Sequence, residues 1–169
     1  IYTMTPLGAN IRRVVPVRPS VVYTFSLQWA RDGSIVYTNF DQVGDKQIYR
    51  VFANSANPVC LTCGRTAVPG ARAGALSPSG ALLAHVGYQT GTRALLYVLD
   101  LVSGRSTTLS DRADAPHWRD DNHIIFLSAR DGLPDLWEVD VNPRSGMKEA
   151  EPVRITSGLD ATAFAVSGD

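Results

Sequence analysis

A turn-and-strand segment recurs about every 45 residues along the chain, and this period constrains the fold more than any other feature. Its four copies begin at Trp29, Leu76, Trp118 and Phe164. The first copy reads Trp-Ala-Arg-Asp-Gly-Ser-Ile-Val-Tyr, and the fourth, at residues 164–168, is cut short by the end of the chain. Self-similarity with such a period predicts an array of supersecondary units, such as the blades of a propeller.

Two further markers keep the same register as the first. One is an aromatic residue inside an apolar strand, and the other is a short apolar segment that follows it 13 residues later in its first three occurrences and 19 residues later in the last. The aromatic marker occurs as Ile1-Tyr2, Ile48-Tyr49, Leu96-Tyr97 and Leu136-Trp137, and the later marker as Val14-Val15, Leu61-Thr62, Leu109-Ser110 and Ile155-Thr156. Three markers in one register indicate a repeated structural unit, not a chance match.

Each repeat contains signals for four short strands. Tight-turn dipeptides, which supply the positive φ angles of a hairpin, follow the first three lead residues. They are Asp32-Gly33, Ser79-Gly80 and Asp121-Asn122. Apolar runs such as residues 35–37 and 124–126 come next and are typical of buried strands. With no helical periodicity, the chain is predicted to be an all-β propeller of four-stranded antiparallel blades.

The markers also divide the chain into blades. We expect three full blades and two partial ones: residues 1–15 end one blade, residues 23–62, 72–110 and 114–156 form complete blades, and residues 161–169 supply the inner strand of the next. The four lead residues should pack in the layers between blades. Because propellers usually have about four to eight blades, we expect a segment of a larger propeller, completed by the same parent chain or by a second copy.

The third repeat carries the most specific motif. Residues 115–137 contain Pro-His-Trp, an apolar strand, Ser-Ala-Arg-Asp-Gly and a strand with an aromatic residue. This pattern resembles the TolB-like propeller repeat, also found in tricorn protease and in the propeller domain of prolyl-oligopeptidase-type enzymes. The repeat at 72–110 departs most, since Leu76 replaces the tryptophan. The resemblance implies a fold and a periplasmic or secreted location, but its turn and core residues name no single function.

Charge and hydropathy exclude two classes of partner. The 16 Lys and Arg residues balance the 16 Asp and Glu residues, whereas nucleic acids require a basic surface. No apolar run approaches the roughly 18 residues of a membrane span. The sequence therefore predicts neither a nucleic-acid partner nor a membrane span.

Cys60 and Cys63 form the one Cys-x-x-Cys motif. It follows a strand signal, not the start of a helix as in redox proteins, and no second pair is present to complete a zinc site. We interpret the two cysteines as a strand-end pair, either free or joined by a local disulfide bond.

A weak ligand site is predicted on the inner strands, facing the central channel. Its residues are Gln28, Asp114 and His117. His117 precedes a lead tryptophan, and Gln28, Ala75 and Ala163 occupy the equivalent positions in the other repeats. Since none of these supplies a second nitrogen or carboxylate ligand, neither a metal site nor a cofactor is predicted there.

The function expected from these features is non-catalytic. Ser77 to Gly80 form a hairpin turn and not a nucleophile elbow, so no catalytic residue is predicted. The leading hypothesis is a binding scaffold for a protein or peptide partner. Two alternatives stay open: an accessory domain of a serine peptidase or other hydrolase, and part of a metal-dependent sugar-active propeller whose histidine cluster lies in other blades.

Overall fold

The computed structural model describes residues 1–15, 26–40, 45–55, 57–65, 70–88 and 93–167. Within these ranges the regular elements are strands, and no helix long and apolar enough to span a membrane occurs. The strands are β1 (Tyr2–Thr3), β2 (Arg12–Arg13), β3 (Leu27–Trp29), β4 (Ser34–Phe40), β5 (Lys46–Phe52), β6 (Val59–Cys60), β7 (Arg72–Leu76), β8 (Leu82–Tyr88), β9 (Ala94–Asp100), β10 (Ser106–Asp111), β11 (Ala113–Trp118), β12 (His123–Ser128), β13 (Asp135–Asp140) and β14 (Val153–Arg154).

The strands form three four-stranded antiparallel sheets and one two-stranded pair. In each large sheet the strands follow chain order: β3 to β6 make blade 1, β7 to β10 blade 2 and β11 to β14 blade 3. β1 pairs with β2. The predicted all-β fold of four-stranded antiparallel blades is confirmed. Residues 23–25 and 168–169, at the ends of two predicted blade spans, lie outside the described residues.

The hydrophobic core consists of layers between neighbouring sheets. Side chains from β4 and β5 meet those of β7, β8 and β9 in one layer, and blades 2 and 3 meet in another. Leu76 is buried in the first of these layers and Trp118 in the second, as the repeat predicts. Between blades 1 and 2 the backbone also approaches closely: a Cβ atom added to Gly74 would lie 2.8 Å from two carbons of Ile48.

The later marker of the repeat has a hydrogen-bonding role. In blade 1 the hydroxyl of Thr62 accepts the N–H of Ile48 at 3.0 Å and donates to the side chain of Gln47. In blade 3 the hydroxyl of Thr156 accepts the N–H of Leu136 at 2.9 Å and donates to a carboxylate. In both blades, therefore, a threonine hydroxyl just after the outer strand hydrogen-bonds to the backbone of the third strand.

That carboxylate belongs to Asp135, which is buried at the start of β13. It also accepts the backbone N–H groups of Leu159 and Gly158 and pairs with Arg154. The Leu159 N–H makes the largest contribution to holding the pKa of Asp135 at about 2. Asp135 therefore fixes the chain that leads out of blade 3.

Two expectations for the ends of the repeat array are corrected. Trp29 is 60% exposed instead of packed between blades. Trp118 is covered by the inner strand of the blade before it. Before blade 1 the described residues provide only the β1–β2 pair, whose flanking residues Ile1 and Val14 pack with β4. No described inner strand covers the Trp29 indole.

The tail is the second correction. Residues 161–167 contain no strand, although an inner strand is predicted there. A strand needs a ladder of backbone hydrogen bonds with a neighbour. Ala161 donates its N–H to the carbonyl of Pro134, and Phe164 packs its ring on His117, but these contacts do not form a ladder.

Cys60 and Cys63 are joined by a disulfide bond at the end of β6. The structure thus selects the oxidised form of the two states that the sequence leaves open. The bond ends the outer strand of blade 1.

Candidate functional site

The inner strands bring Gln28 and His117 together from different blades. Both residues and Ala75 occupy the same place in the sheet register, since they pair with Val36, Ile125 and Ala84 of the adjoining strands. The amide nitrogen of Gln28 lies 3.5 Å from Nε2 of His117 and donates to the carbonyl of Pro116 at 3.2 Å. Because the intervening blade carries only the methyl group of Ala75, the side chain of Gln28 reaches from blade 1 to blade 3.

A cavity of about 260 Å³ opens beside this contact. We call it the inner-strand pocket; its lining includes Gln28, Trp29, Ala75, Leu76, His117 and Trp118. Val166 from the tail also contributes to it. One recess at the ends of the inner strands therefore contains the exposed indole of Trp29, the amide of Gln28 and the imidazole of His117.

His117 is partly buried in this recess. Burial lowers the pKa of its imidazole below the usual value. Phe164 packs edge-on against it with ring centroids 4.6 Å apart. The ring is therefore neutral at pH 7, and with the Gln28 amide as donor its Nε2 acts as a hydrogen-bond acceptor.

Asp114, the third residue predicted for this site, lies elsewhere. It pairs with Arg72 at 3.1 Å and lines a separate cavity of about 660 Å³ together with Arg112. A register shift between Asp114 and His117, with Ala115 at φ 46°, interrupts the regular alternation of β11. The predicted trio is therefore divided: Gln28 and His117 share the inner-strand pocket, and Asp114 does not.

Two features escape the sequence analysis. Trp29 lines the pocket because its indole is uncovered, which depends on the arrangement of the blades and not on its own repeat. His123, Glu138 and Asp140 form a cluster on blade 3 whose possible ligand atoms lie within 4.8 Å of one another. The pairing of His123 with Asp140 across β12 and β13 creates that cluster. Only the hairpin register, once assigned, could have indicated it.

No protein-family model matches the sequence, and no curated protein matches it. Solved structures do match the fold. TolB from Acinetobacter baumannii is 20% identical with a TM-score of 0.67, and the match covers 89% of this chain and 36% of that protein. A putative TolB from Agrobacterium tumefaciens is 24% identical with a TM-score of 0.59, and the match covers 74% of this chain and 43% of that one.

A third match is the β-propeller domain of the trilobed protease from Pyrococcus furiosus. It is 13% identical with a TM-score of 0.52, and the match covers 79% of this chain and 42% of that chain. The chain thus spans less than half of the length of each of these structures. It shares the β-propeller fold with proteins of different function, so the fold alone does not name an activity.

Proposed function

We propose that the chain is part of a non-catalytic binding propeller that holds a protein or peptide partner in the inner-strand pocket. The observation that carries this proposal is the exposed indole of Trp29 beside the polar groups of Gln28 and His117. Tryptophan is the residue type most enriched among the side chains that dominate binding energy at protein interfaces.

The size and chemistry of the pocket favour a peptide segment. Its volume of about 260 Å³ lies below the roughly 300–1,000 Å³ of small-molecule and cofactor sites, but it accommodates one or two side chains of a partner. An apolar side chain would stack on Trp29. The partner's backbone would hydrogen-bond with the amide of Gln28, which has both donors and an acceptor.

Two further proposals concern the protein's surroundings. Disulfide bonds persist in oxidising compartments, so the bond between Cys60 and Cys63 supports the periplasmic or secreted location that the resemblance implies. Further blades, from the same parent chain or from a second copy, would complete the ring, since the chain covers only 36% of the Acinetobacter TolB structure. The binding proposal requires that these blades leave the indole of Trp29 accessible.

Peptide selection tests the binding proposal. A displayed library of random peptides is selected on the wild-type chain, and the enriched peptides are titrated by fluorescence anisotropy against wild type and Trp29→Ala. We expect at least tenfold weaker binding by Trp29→Ala, corresponding to about 1.4 kcal/mol or more. Val102→Ala is the matched control, because Val102 is 90% exposed and lies outside the pocket. Peptides that bind both forms equally, or a failure to enrich any, would count against the proposal.

A further inference from the structure

The cluster of His123, Glu138 and Asp140 lies on one face of the central hairpin of blade 3. His123 on β12 is the direct cross-strand partner of Asp140 on β13. Glu138 precedes Asp140 by two residues, and side chains two apart in a strand point to the same face. The three side chains therefore project together from one face of the sheet, and each of the three residues is half-buried.

The distances within this cluster suit ligands of one metal ion. His123 Nε2 lies 3.7 Å from a carboxylate oxygen of Asp140, too far for a hydrogen bond. Zinc binds histidine nitrogen and carboxylate oxygen at about 2.0–2.2 Å, so two ligands of the same ion lie roughly 3–4 Å apart. An ion placed between His123 and Asp140 would also have the carboxylate of Glu138 within reach, after small side-chain rotations.

A fourth residue, Asp120, fixes the orientation of the histidine ring. Its carboxylate oxygens lie 2.7 and 2.8 Å from Nδ1 of His123. The backbone N–H groups of Asn122 and His123 in turn donate to Asp120. A carboxylate on the second ring nitrogen is the usual outer support of a metal-ligating histidine, and it leaves Nε2 free to accept a metal.

The charges of this region also favour a cation. Three carboxylates, those of Asp120, Glu138 and Asp140, lie around His123, and one guanidinium, that of Arg119, pairs with Glu138 at 2.5 Å and with Asp120 at 3.5 Å. An ion would have to displace Arg119 from Glu138. Arg119 is therefore a built-in competitor whose removal should strengthen binding.

The propeller repeat does not require this set of residues. At the positions equivalent to His123, Glu138 and Asp140, the first repeat has Ser34, Arg50 and Phe52, and the second has Leu82, Val98 and Asp100. Blades of the same fold thus form without the cluster. Its presence on blade 3 alone, among the three described blades, indicates a role beyond folding.

We propose that His123 Nε2 and the carboxylates of Glu138 and Asp140 bind a divalent transition-metal ion of the zinc class, with water completing its coordination. The imidazole ligand favours such an ion over magnesium or calcium, which prefer oxygen ligands throughout. This site lies outside the inner-strand pocket and does not depend on the peptide-binding proposal.

Metal titration of the full chain tests the site. After chelator treatment, Zn²⁺ is titrated into wild type by calorimetry, and Co²⁺ is added separately to follow its visible absorption. We expect one saturable site in wild type, binding weakened at least tenfold in His123→Gln and Asp140→Asn, and about tenfold in Asp120→Asn, which removes the ring's support. Arg119→Gln should bind more tightly than wild type.

The control is His117→Gln, which removes another partly buried histidine outside the cluster and should bind Zn²⁺ as wild type does. Thermal unfolding of every variant checks that it is folded; if His123→Gln is not, Asp140→Asn at a half-exposed position decides alone. Absence of saturable binding in wild type, or equal affinity in wild type and both ligand variants, overturns the site. Tighter binding of Mg²⁺ than of Zn²⁺ would overturn the assignment of the ion.

Discussion

The indole N–H of Trp118 donates a hydrogen bond to the carbonyl oxygen of Ala75, 3.0 Å away on the inner strand of the preceding blade. Trp118 leads one copy of the repeat, and Ala75 stands immediately before the lead residue of the copy before it. The side chain therefore both fills the layer between blades 2 and 3 and satisfies a backbone acceptor inside it.

Replacing Trp118 tests how much this layer contributes to stability. Trp118→Ala should lower the free energy of unfolding by roughly 3–5 kcal/mol, because it leaves a cavity where a large aromatic side chain was buried. Trp118→Phe should cost less, since a ring remains and mainly the hydrogen bond to Ala75 is lost. Urea denaturation followed by circular dichroism measures both. A loss below about 1 kcal/mol for Trp118→Ala would mean that the side chain is not buried in solution.

The close approach of Gly74 to Ile48 gives a second test, between blades 1 and 2. Gly74→Ala should destabilise the protein by roughly 1–3 kcal/mol, because the new methyl group meets the Ile48 side chain at 2.8 Å. In an Ile48→Ala background the same change should be close to neutral, since the crowded carbons are gone. A double-mutant cycle of urea midpoints measures the difference. Additive effects would show that Gly74 and Ile48 are not in contact.

The sequence predicts the strands and the blade order because these depend on local signals. Turn dipeptides such as Asp32-Gly33 and the aliphatic runs that follow them act within a few residues, and the repeat aligns one blade with the next. The burial of Trp118 and Leu76 follows from the same alignment.

The exposure of Trp29 and the separation of Asp114 from His117 depend on longer-range or finer geometry. Trp29 is exposed because no described inner strand lies before blade 1. Asp114 is separated from His117 by a backbone irregularity at Ala115, an alanine at positive φ that no composition rule indicates. Of the three residues predicted to face the channel together, Gln28 and His117 share a pocket and Asp114 lines a different one.

Substrate assays test the non-catalytic proposal. The purified chain should show no turnover of peptide or glycoside substrates above the uncatalysed rate, since the described residues of the inner-strand pocket include no Ser, Thr or Cys nucleophile beside a base. Product formation is followed by fluorogenic release over hours at several enzyme concentrations. Gln28→Ala and His117→Ala serve as comparison variants. Turnover that scales with wild-type protein and is abolished by a point substitution would establish an enzyme instead.

The buried histidine of blade 2 predicts a specific dependence of stability on pH. His85 is fully buried on β8 and stacks on Tyr97, its cross-strand partner, with ring centroids 5.4 Å apart. Burial, the main cause, lowers its pKa from 6.5 to about 4. Between these two values the unfolded chain binds a proton at this residue and the folded chain does not.

Stability from His85 is therefore fully present above pH 6.5 and is lost as the pH falls toward 4. The loss should reach about 3 kcal/mol, with a slope of up to about 1.4 kcal/mol per pH unit. His85→Phe keeps an aromatic ring against Tyr97 but cannot bind a proton, so its unfolding free energy should fall less over the same window. Urea denaturation of both proteins at half-unit steps from pH 4 to 7.5 gives the difference between their unfolding free energies at each pH. The contributions of the other titrating groups are the same in both proteins and cancel in this difference. Parallel curves for the two proteins would show that His85 takes up its proton as readily in the folded state as in the unfolded one.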